Sequence, residues 1–306
     1  MHRLSLNHSR EALVLIWVAG CLIIFNNFVS SAFANADAPR ALLPVAGDSA
    51  RNLALYSNAA LVLDHYTGAI LFQKNVAAIH PIASLTKLMT AIVVLDSGLA
   101  LDATIRVEND DIDMERGSRS KMRIGEILAR RDMLRLALMS SENRAASALA
   151  RTHPGGRNAF VAAMNRRAAQ IGMSSSWFVD SSGLSSRNVS TARDMAKLVA
   201  AAAKYELIRD YSTTPQVSLK RLDSGTQINY VNSNLLLRHA TGWDINVSKT
   251  GYLNEAGYCL VLQAVIERRV VDIVLLDSYG RYSRVGDANR IKKWLEERLR
   301  PSIGKL

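Results

Sequence analysis

Apolar residues form strand-like runs near both ends of the chain. The runs at 59–64 and 69–74 flank a turn sequence at 65–68, which predicts a β-hairpin. Runs of the same character lie near 245–250, 258–266 and 270–277. The pattern therefore predicts strands before and after the middle of the chain.

In the middle of the chain, apolar residues recur at helical spacing. The recurrence predicts helices at 84–97, 125–139, 142–152, 157–171 and 191–204. Thr191 and Asp194 are spaced as a capping box for the last of these. A closing amphipathic helix carries Ile291, Trp294, Leu295 and Leu299 on one side. Strands at both ends of a helical middle predict one α+β domain whose first and last strands share a sheet.

The composition is that of a globular protein with an excess of positive charge. Of 306 residues, 49% are hydrophobic and 21% are charged, and the net charge is +11. Such a charge favours polyanionic surroundings, such as nucleic acid, an anionic membrane face or a carboxylate-rich wall polymer. The sequence has no zinc-finger motif, no RNA-recognition motif and no long basic run, so nucleic acid is not an expected partner.

The first residues have the layout of a secretory signal peptide. Arg3 and Arg10 precede an apolar stretch at 12–25, and small residues in an A-x-A pattern follow. We expect cleavage after Ala34, or after Ala36 at a second A-x-A. An uncleaved anchor is the alternative, but the apolar stretch is short for one.

This layout divides the chain into a signal peptide at 1–34, a linker at 35–57 and a folded domain at 58–306. Lipidation of Cys21 is a further alternative, although the apolar run continues past this residue. Cys259 lies in an apolar run, which indicates a small buried side chain rather than a nucleophile. The sequence contains no Cys/His cluster or HExxH motif, so we expect no metal site, and we expect no cofactor.

Three short motifs carry the candidate chemistry. Ser84 and Lys87 form an S-x-x-K motif, Ser141 and Asn143 form an S-x-N motif, and Lys249 begins the single Lys-Thr-Gly of the chain. The first two patterns also occur elsewhere and are weak alone. Only this set has the right order, with the serine opening a predicted helix and the final lysine ending a predicted strand. The trio is typical of penicillin-binding proteins and class A β-lactamases.

The trio is chemically coherent as the centre of a serine acyl-transfer enzyme. Ser84 and Lys87 project from one helix face, and a serine hydroxyl needs a base to become a nucleophile. Lys87 can be that base only when neutral, and burial together with nearby Lys249 would lower its pKa. Ser141 is expected to relay a proton to the leaving amine. Asn143 is expected to offer its amide to the substrate backbone and to the lysine.

The residues around Lys-Thr-Gly are expected to bind the substrate. The Thr250 hydroxyl would hold a substrate carboxylate, and Gly251 would let the backbone approach closely. The backbone N–H groups of Ser84 and Tyr252 would then form an oxyanion hole.

The chain resembles D-alanyl-D-alanine peptidases of the low-molecular-mass penicillin-binding protein class. More narrowly, it is similar to the D-alanyl-D-alanine endopeptidase group, of the penicillin-binding protein 7 type. The resemblance runs from about residue 58 to 299 and is strongest at 83–90, 138–146, 180–184, 188–192 and 248–257.

The resemblance implies a serine β-lactamase/DD-peptidase-like α+β fold, with a central antiparallel sheet flanked by helices and completed by a helical lobe. It implies a periplasmic enzyme that acts on peptidoglycan stem peptides and cross-links, with β-lactam antibiotics as covalent inhibitors of Ser84. Membrane association is compatible with this assignment but not required. Glu142, in the middle of S-x-N, matches the endopeptidase group. Arg281 and Arg284 would meet a substrate carboxylate or be ordinary surface arginines, and we place Arg284 among the substrate-binding residues.

Four functions compete for this constellation. The first is an endopeptidase that cuts D-alanyl–diaminopimelyl cross-links, with or without carboxypeptidase action, and Glu142 favours it. The second is a strict carboxypeptidase that removes the terminal D-alanine, using the same residues. The third is a β-lactamase, but no glutamate in an E-x-x-L-N setting lies between Asn143 and Lys249. The fourth is a wall-binding protein with an inactive cleft, against which the intact motifs argue.

Overall fold

The two ends of the folded domain build one sheet, as the sequence predicts. The structure is a computed structural model that describes residues 53–222, 224–238 and 241–299. The predicted signal peptide, Cys21 and most of the linker lie outside the described residues.

The central sheet has five antiparallel strands, which are β1 (Ser57–Asp64), β2 (Ile70–Lys74), β9 (Asp244–Leu253), β10 (Gly257–Ile266) and β11 (Arg269–Ser278). Their order across the sheet is β2-β1-β11-β10-β9. The first and last parts of the chain meet where Ala60 pairs with Leu275 and Leu61 with Val274. The predicted α+β class and shared sheet are confirmed.

Seven α-helices occur among the described residues. They are α1 (Thr86–Asp96), α2 (Arg130–Met139), α3 (Asn143–Arg151), α4 (Gly156–Gln170), α5 (Ala192–Ala202), α6 (Glu206–Thr213) and α7 (Arg281–Leu299). Helices α5 and α7 both contact β10 and β11, and these strands are almost entirely buried. The two helices therefore cover opposite faces of the sheet, and strands buried on both faces have continuous apolar runs rather than alternating ones.

The remaining helices form a lobe beside the sheet. Helix α1 contacts α2, α3, α4 and α6, and its side chains from Thr86 to Val94 are all buried. The lobe also holds three two-stranded pairs: β3 (His80–Pro81) with β6 (Val189–Ser190), β4 (Thr104–Arg106) with β5 (Ile127–Ala129), and β7 (Gln216–Lys220) with β8 (Gln227–Val231). Strand β9, the edge of the sheet, lies against the turn that precedes α1.

Three local predictions need correction or completion. The helix predicted at 125–139 begins only at Arg130, because Ile127–Ala129 pairs with Thr104–Arg106 as a strand. Helix α6 and the β7–β8 hairpin had no predicted counterpart. The capping box is half formed: the Thr191 side chain accepts the Asp194 N–H, whereas the Asp194 carboxylate binds Ser175 and Lys197.

Two other sequence expectations agree with the structure. Cys259 is fully buried, and burial raises the pKa of its thiol to about 11, which is unsuited to a nucleophile. Ile291 and Leu295 of the closing helix are buried, and this helix packs on β10 and β11. Within the described ranges, no helix combines the length and apolar character needed to span a bilayer.

Candidate active site

The S-x-x-K serine and lysine meet at the start of α1. Ser84 lies in a 3-10 turn at Ala83–Leu85, and the α-helix begins at Thr86. Lys87 Nζ lies 2.9 Å from Ser84 Oγ. The spacing of three residues puts both side chains on one side of the turn, as the sequence predicts.

Lys87 is fully buried and contacts three oxygens. Its Nζ lies 2.9 Å from Ser84 Oγ, 2.7 Å from Asn143 Oδ1 and 2.6 Å from the Ser182 carbonyl. A neutral lysine has two N–H donors and one lone pair. Because Asn143 Oδ1 and the Ser182 carbonyl can only accept, they take the two donors, and the lone pair faces the Ser84 hydroxyl. The arrangement suits a base that receives the serine proton.

The environment of Lys87 also brings its pKa near neutrality. Burial lowers the pKa to about 7, while the carboxylates of Asp180 and Glu142 oppose the decrease. The sequence predicts burial and the nearby Lys249 as the two causes. Burial is the main one, and the repulsion between the two cations lowers the pKa of Lys249 instead.

The S-x-N serine faces the second lysine. Lys249 Nζ donates to Ser141 Oγ at 3.0 Å and to the Thr250 carbonyl at 2.9 Å. Ser141 holds a left-handed backbone conformation, with φ of 62°, in the connection between α2 and α3. Burial, followed by the positive charges of Lys87 and Arg284, holds the pKa of Lys249 well below its usual value.

Asn143 and Glu142 anchor a loop from the helical lobe. Asn143 Nδ2 donates to Ser118 Oγ at 2.9 Å, and Ser120 Oγ donates to Glu142 Oε1 at 2.5 Å. Glu142 is nearly buried, and burial raises its pKa. The middle residue of S-x-N therefore lies inside the site, where its carboxylate acts on Lys87 and fixes the loop.

Replacing Glu142 with glutamine is expected to shift the pH dependence of acylation. The Glu142 carboxylate favours the protonated form of Lys87, so its removal lowers the pKa of that lysine. The acid limb of the rate of penicillin acylation should then move to lower pH. Stopped-flow acylation from pH 5 to 9 measures this, with Ser120→Ala as a control that removes the hydrogen bond but keeps the charge. An unchanged acid limb in Glu142→Gln would contradict the electrostatic role.

Strand β9 meets the serine turn at a glycine. A Cβ on Gly251 would lie 2.9 Å from the Ile82 carbonyl oxygen and 3.2 Å from Ser84 N. The absence of a side chain there lets β9 lie against the turn, and Tyr252 is the next residue of the strand. Because β9 is an edge strand, its outward backbone groups can pair with an extended peptide.

Arg284 lies behind this strand rather than on the surface. It is buried and donates through Nη1 to the carbonyls of Gly251 (2.8 Å) and Cys259 (2.9 Å). Burial lowers its pKa to about 10. The alternative of an ordinary surface arginine is therefore wrong. Its contacts support the backbone of β9, and direct binding of a substrate carboxylate stays a prediction.

The structure adds residues that the motifs did not reveal. Thr250 Oγ1 donates to Ser233 Oγ at 2.7 Å, which places a second hydroxyl beside the expected carboxylate position. Ser118 and Ser182 also enter the site through their contacts with the motif residues, and the charge of the Asp180 carboxylate acts on Lys87. None of these belongs to a motif at fixed spacing from Ser84. Only the stretch 180–184, noted for its resemblance, carried a signal. Among the described residues, no group of acidic, histidine or cysteine side chains is arranged to hold a metal ion.

The fold and the site define an active-serine peptidase of the penicillin-binding type. Residues 46–280 match the model of the Peptidase_S11 family, described as D-alanyl-D-alanine carboxypeptidase. The chain belongs to this family, and it is a serine hydrolase. The resemblance drawn from the motifs is confirmed.

Relatives agree with this assignment. The chain is 44% identical to a D-alanyl-D-alanine endopeptidase of Pseudomonas aeruginosa, covering 88% of this chain and 84% of that one. It is 40% identical to a D-alanyl-D-alanine endopeptidase of Escherichia coli, covering 85% and 84%. A solved DD-transpeptidase from Streptomyces has a TM-score of 0.72 at 28% identity, covering 79% of this chain and 97% of that one.

Proposed function

We propose that the protein is a serine DD-peptidase that hydrolyses D-alanyl–diaminopimelyl cross-links of peptidoglycan. The observation that carries the proposal is Lys87, whose Nζ meets Ser84 Oγ and two carbonyl-type acceptors in a buried site. The endopeptidase names of relatives at 40–44% identity support the choice of bond. Bacterial relatives and the basic charge support a wall polymer as the partner.

Acylation begins when neutral Lys87 takes the proton of Ser84 Oγ. The serine oxygen attacks the carbonyl carbon of the D-alanine that precedes the cross-link. The backbone N–H groups of Ser84 and Tyr252 receive the negative charge that develops on the carbonyl oxygen. Such a donor contributes about 3–4 kcal/mol in a well-studied hydrolase.

The residues of the S-x-N and Lys-Thr-Gly motifs protonate and bind the leaving group. The proton that Lys87 took from Ser84 passes by way of Ser141, which Lys249 contacts at 3.0 Å, to the departing amine. The C–N bond breaks, and Lys87 is neutral again. The hydroxyls of Thr250 and Ser233 hold the carboxylate beside that amine. Water then attacks the acyl-enzyme while neutral Lys87 takes its proton. The ester bond to Ser84 Oγ breaks, Lys87 returns the proton to this oxygen, and the free enzyme is restored.

The same chemistry makes Ser84 a target for β-lactams. Attack of the serine oxygen on the ring carbonyl would break the ring C–N bond and open the ring. The signal peptide predicted from the sequence supports a periplasmic location, where the cross-links lie. Arg284 supports this function by holding the carbonyl of Gly251, the residue that sets β9 against Ser84.

The proposal is tested with the 35–306 protein on purified muropeptides. A cross-linked dimer and a pentapeptide monomer are incubated with the protein, and the products are read by mass spectrometry. We expect the dimer to fall to monomers and Ser84→Ala to be inert on both substrates.

The family description favours one other function, a strict D-alanyl-D-alanine carboxypeptidase. In that case only the pentapeptide would lose mass, by one terminal D-alanine, while the dimer would persist. Loss of neither substrate, with Ser84 still acylated by penicillin, would exclude both peptidase activities.

A further inference from the structure

An exposed ion pair joins the two sides of the cleft at one end. Arg116 binds both carboxylate oxygens of Glu255, with Nη2–Oε1 at 2.8 Å and Nη1–Oε2 at 3.1 Å. Arg116 belongs to the loop that Asn143 holds through Ser118, and Glu255 lies in the β9–β10 turn. The pair therefore connects the helical lobe to the substrate-binding strand.

The order of residues along β9 shows which part of the substrate reaches this pair. Lys249 contacts Ser141 at the leaving-group side, and Gly251 lies beside Ser84. Tyr252, whose N–H is expected in the oxyanion hole, follows, and Glu255 comes three residues later, past the end of the strand. A peptide extended along β9 with its scissile carbonyl at Ser84 thus places the residues before the D-alanine next to Glu255.

The local charges suit a ligand that carries both signs. Arg116 donates to Glu255, and the negative charges of Asp113 and Glu115 also favour the charged guanidinium. Asp113 is occupied by backbone N–H groups of its own loop. This leaves Glu115 and Glu255 to attract an ammonium, and the planar fork of Arg116 to bind a carboxylate at two points.

Arg116 and Glu255 can each release the other and bind a ligand instead. The side chains of Arg116 and Glu255 are 28% and 47% exposed, so water already competes for the bond. Arg116 is also fixed independently, because its Nε donates to the Leu184 carbonyl at 2.6 Å. The guanidinium therefore stays in place when Glu255 turns to another partner.

We propose that Arg116 and Glu255 form a subsite for a side chain that ends in both a carboxylate and an ammonium. In the donor stem of a diaminopimelyl cross-link, the residue before the scissile D-alanine is itself diaminopimelate and has such an end. Arg116 takes its carboxylate and Glu255 its ammonium. The inference rests on the proposed function and identifies the stem that the site selects.

The test uses three synthetic cross-linked peptides, L-Ala-γ-D-Glu-X-D-Ala joined to the amino group of diaminopimelate. In the first peptide, X is meso-diaminopimelate. In the second, X is lysine, which lacks the side-chain carboxylate. In the third, X is norleucine, which lacks both charged groups. For the unaltered enzyme, we expect kcat/KM to fall about tenfold with lysine and about 100-fold with norleucine, since each lost contact is a charged hydrogen bond. Equal kcat/KM for all three would overturn the inference and leave the proposed function standing.

Two variants show which residue of the ion pair produces each preference among the three peptides. Arg116→Gln should remove the preference for diaminopimelate over lysine, and Glu255→Gln should remove the preference for lysine over norleucine. Penicillin acylation of Ser84 should stay within about threefold in both, because penicillin lacks this side chain. Glu297→Gln, which breaks an exposed ion pair with Lys293 on α7, is the matched control and should keep both preferences.

Two outcomes would count against the subsite. If both variants lower kcat/KM for all three peptides by the same factor, the ion pair only holds the loop and the turn together. If no peptide is cleaved while penicillin still acylates Ser84, the proposed function fails and the inference fails with it.

Discussion

Substitution of Lys87 by arginine is expected to lower the rate of Ser84 acylation by penicillin by about 10²–10⁴-fold. An arginine keeps the positive charge and the hydrogen-bond donors but stays protonated at every accessible pH, so it cannot take the serine proton. In the unaltered protein, the pKa of Lys87 is about 7. The acylation rate should therefore rise about tenfold per pH unit below 7 and level off above it, because only the neutral fraction reacts.

Stopped-flow fluorescence with a labelled penicillin measures both the rate and its pH profile. Lys74→Arg is a matched control, since Lys74 also donates to two carbonyls but lies on β2, away from the site. Its rate should be unchanged. Thermal unfolding of each variant separates lost chemistry from lost structure. A Lys87→Arg enzyme that reacts within tenfold of the unaltered protein and keeps the acid limb would exclude Lys87 as the base.

Gly183→Ala is expected to disrupt the position of Ser84 and to destabilise the fold by about 3 kcal/mol. Gly183 has a φ of +79°, and an added Cβ would lie 1.9 Å from the Ala83 carbonyl oxygen, 2.4 Å from Ala83 C and 2.9 Å from Ser84 N. All three neighbours are backbone atoms, so no side-chain rotation can relieve the overlap. Either the 180–185 loop or the serine turn must move.

A substitution at a second glycine distinguishes the effect of the close contact from the effect of backbone strain. Gly98 also has a left-handed backbone, with φ of +65°, but nothing lies within 4 Å of an added Cβ. Gly98→Ala should cost about 1 kcal/mol and leave acylation unchanged. Calorimetry should show a melting temperature about 6–12 °C lower for Gly183→Ala than for the unaltered protein. Equal shifts for the two variants would mean that the loop does not press on the serine turn.

The sequence was informative about the catalytic residues because their chemistry is local or falls in short motifs. Ser84 and Lys87 are three residues apart, and the helical spacing alone brings them together. Arg284 shows the limit of this reasoning. Its residue type allowed either a ligand-binding or a surface role, whereas the fold buries it against the backbone of β9. The sequence contains no local signal for such a contact, because the two carbonyls lie on different strands.

The α+β class and the shared sheet followed from the periodicity of apolar residues along the chain, and the three motifs followed from the short spacing of their residues. Both kinds of signal are local in the sequence. The surroundings of the motifs came from tertiary packing. It placed Ser182 and Asn143 on Lys87, Ser233 beside Thr250, and Arg116 on Glu255. These contacts join residues that are far apart in the chain. They depend on how the helical lobe packs against the edge of the sheet, and no local pattern encodes that packing.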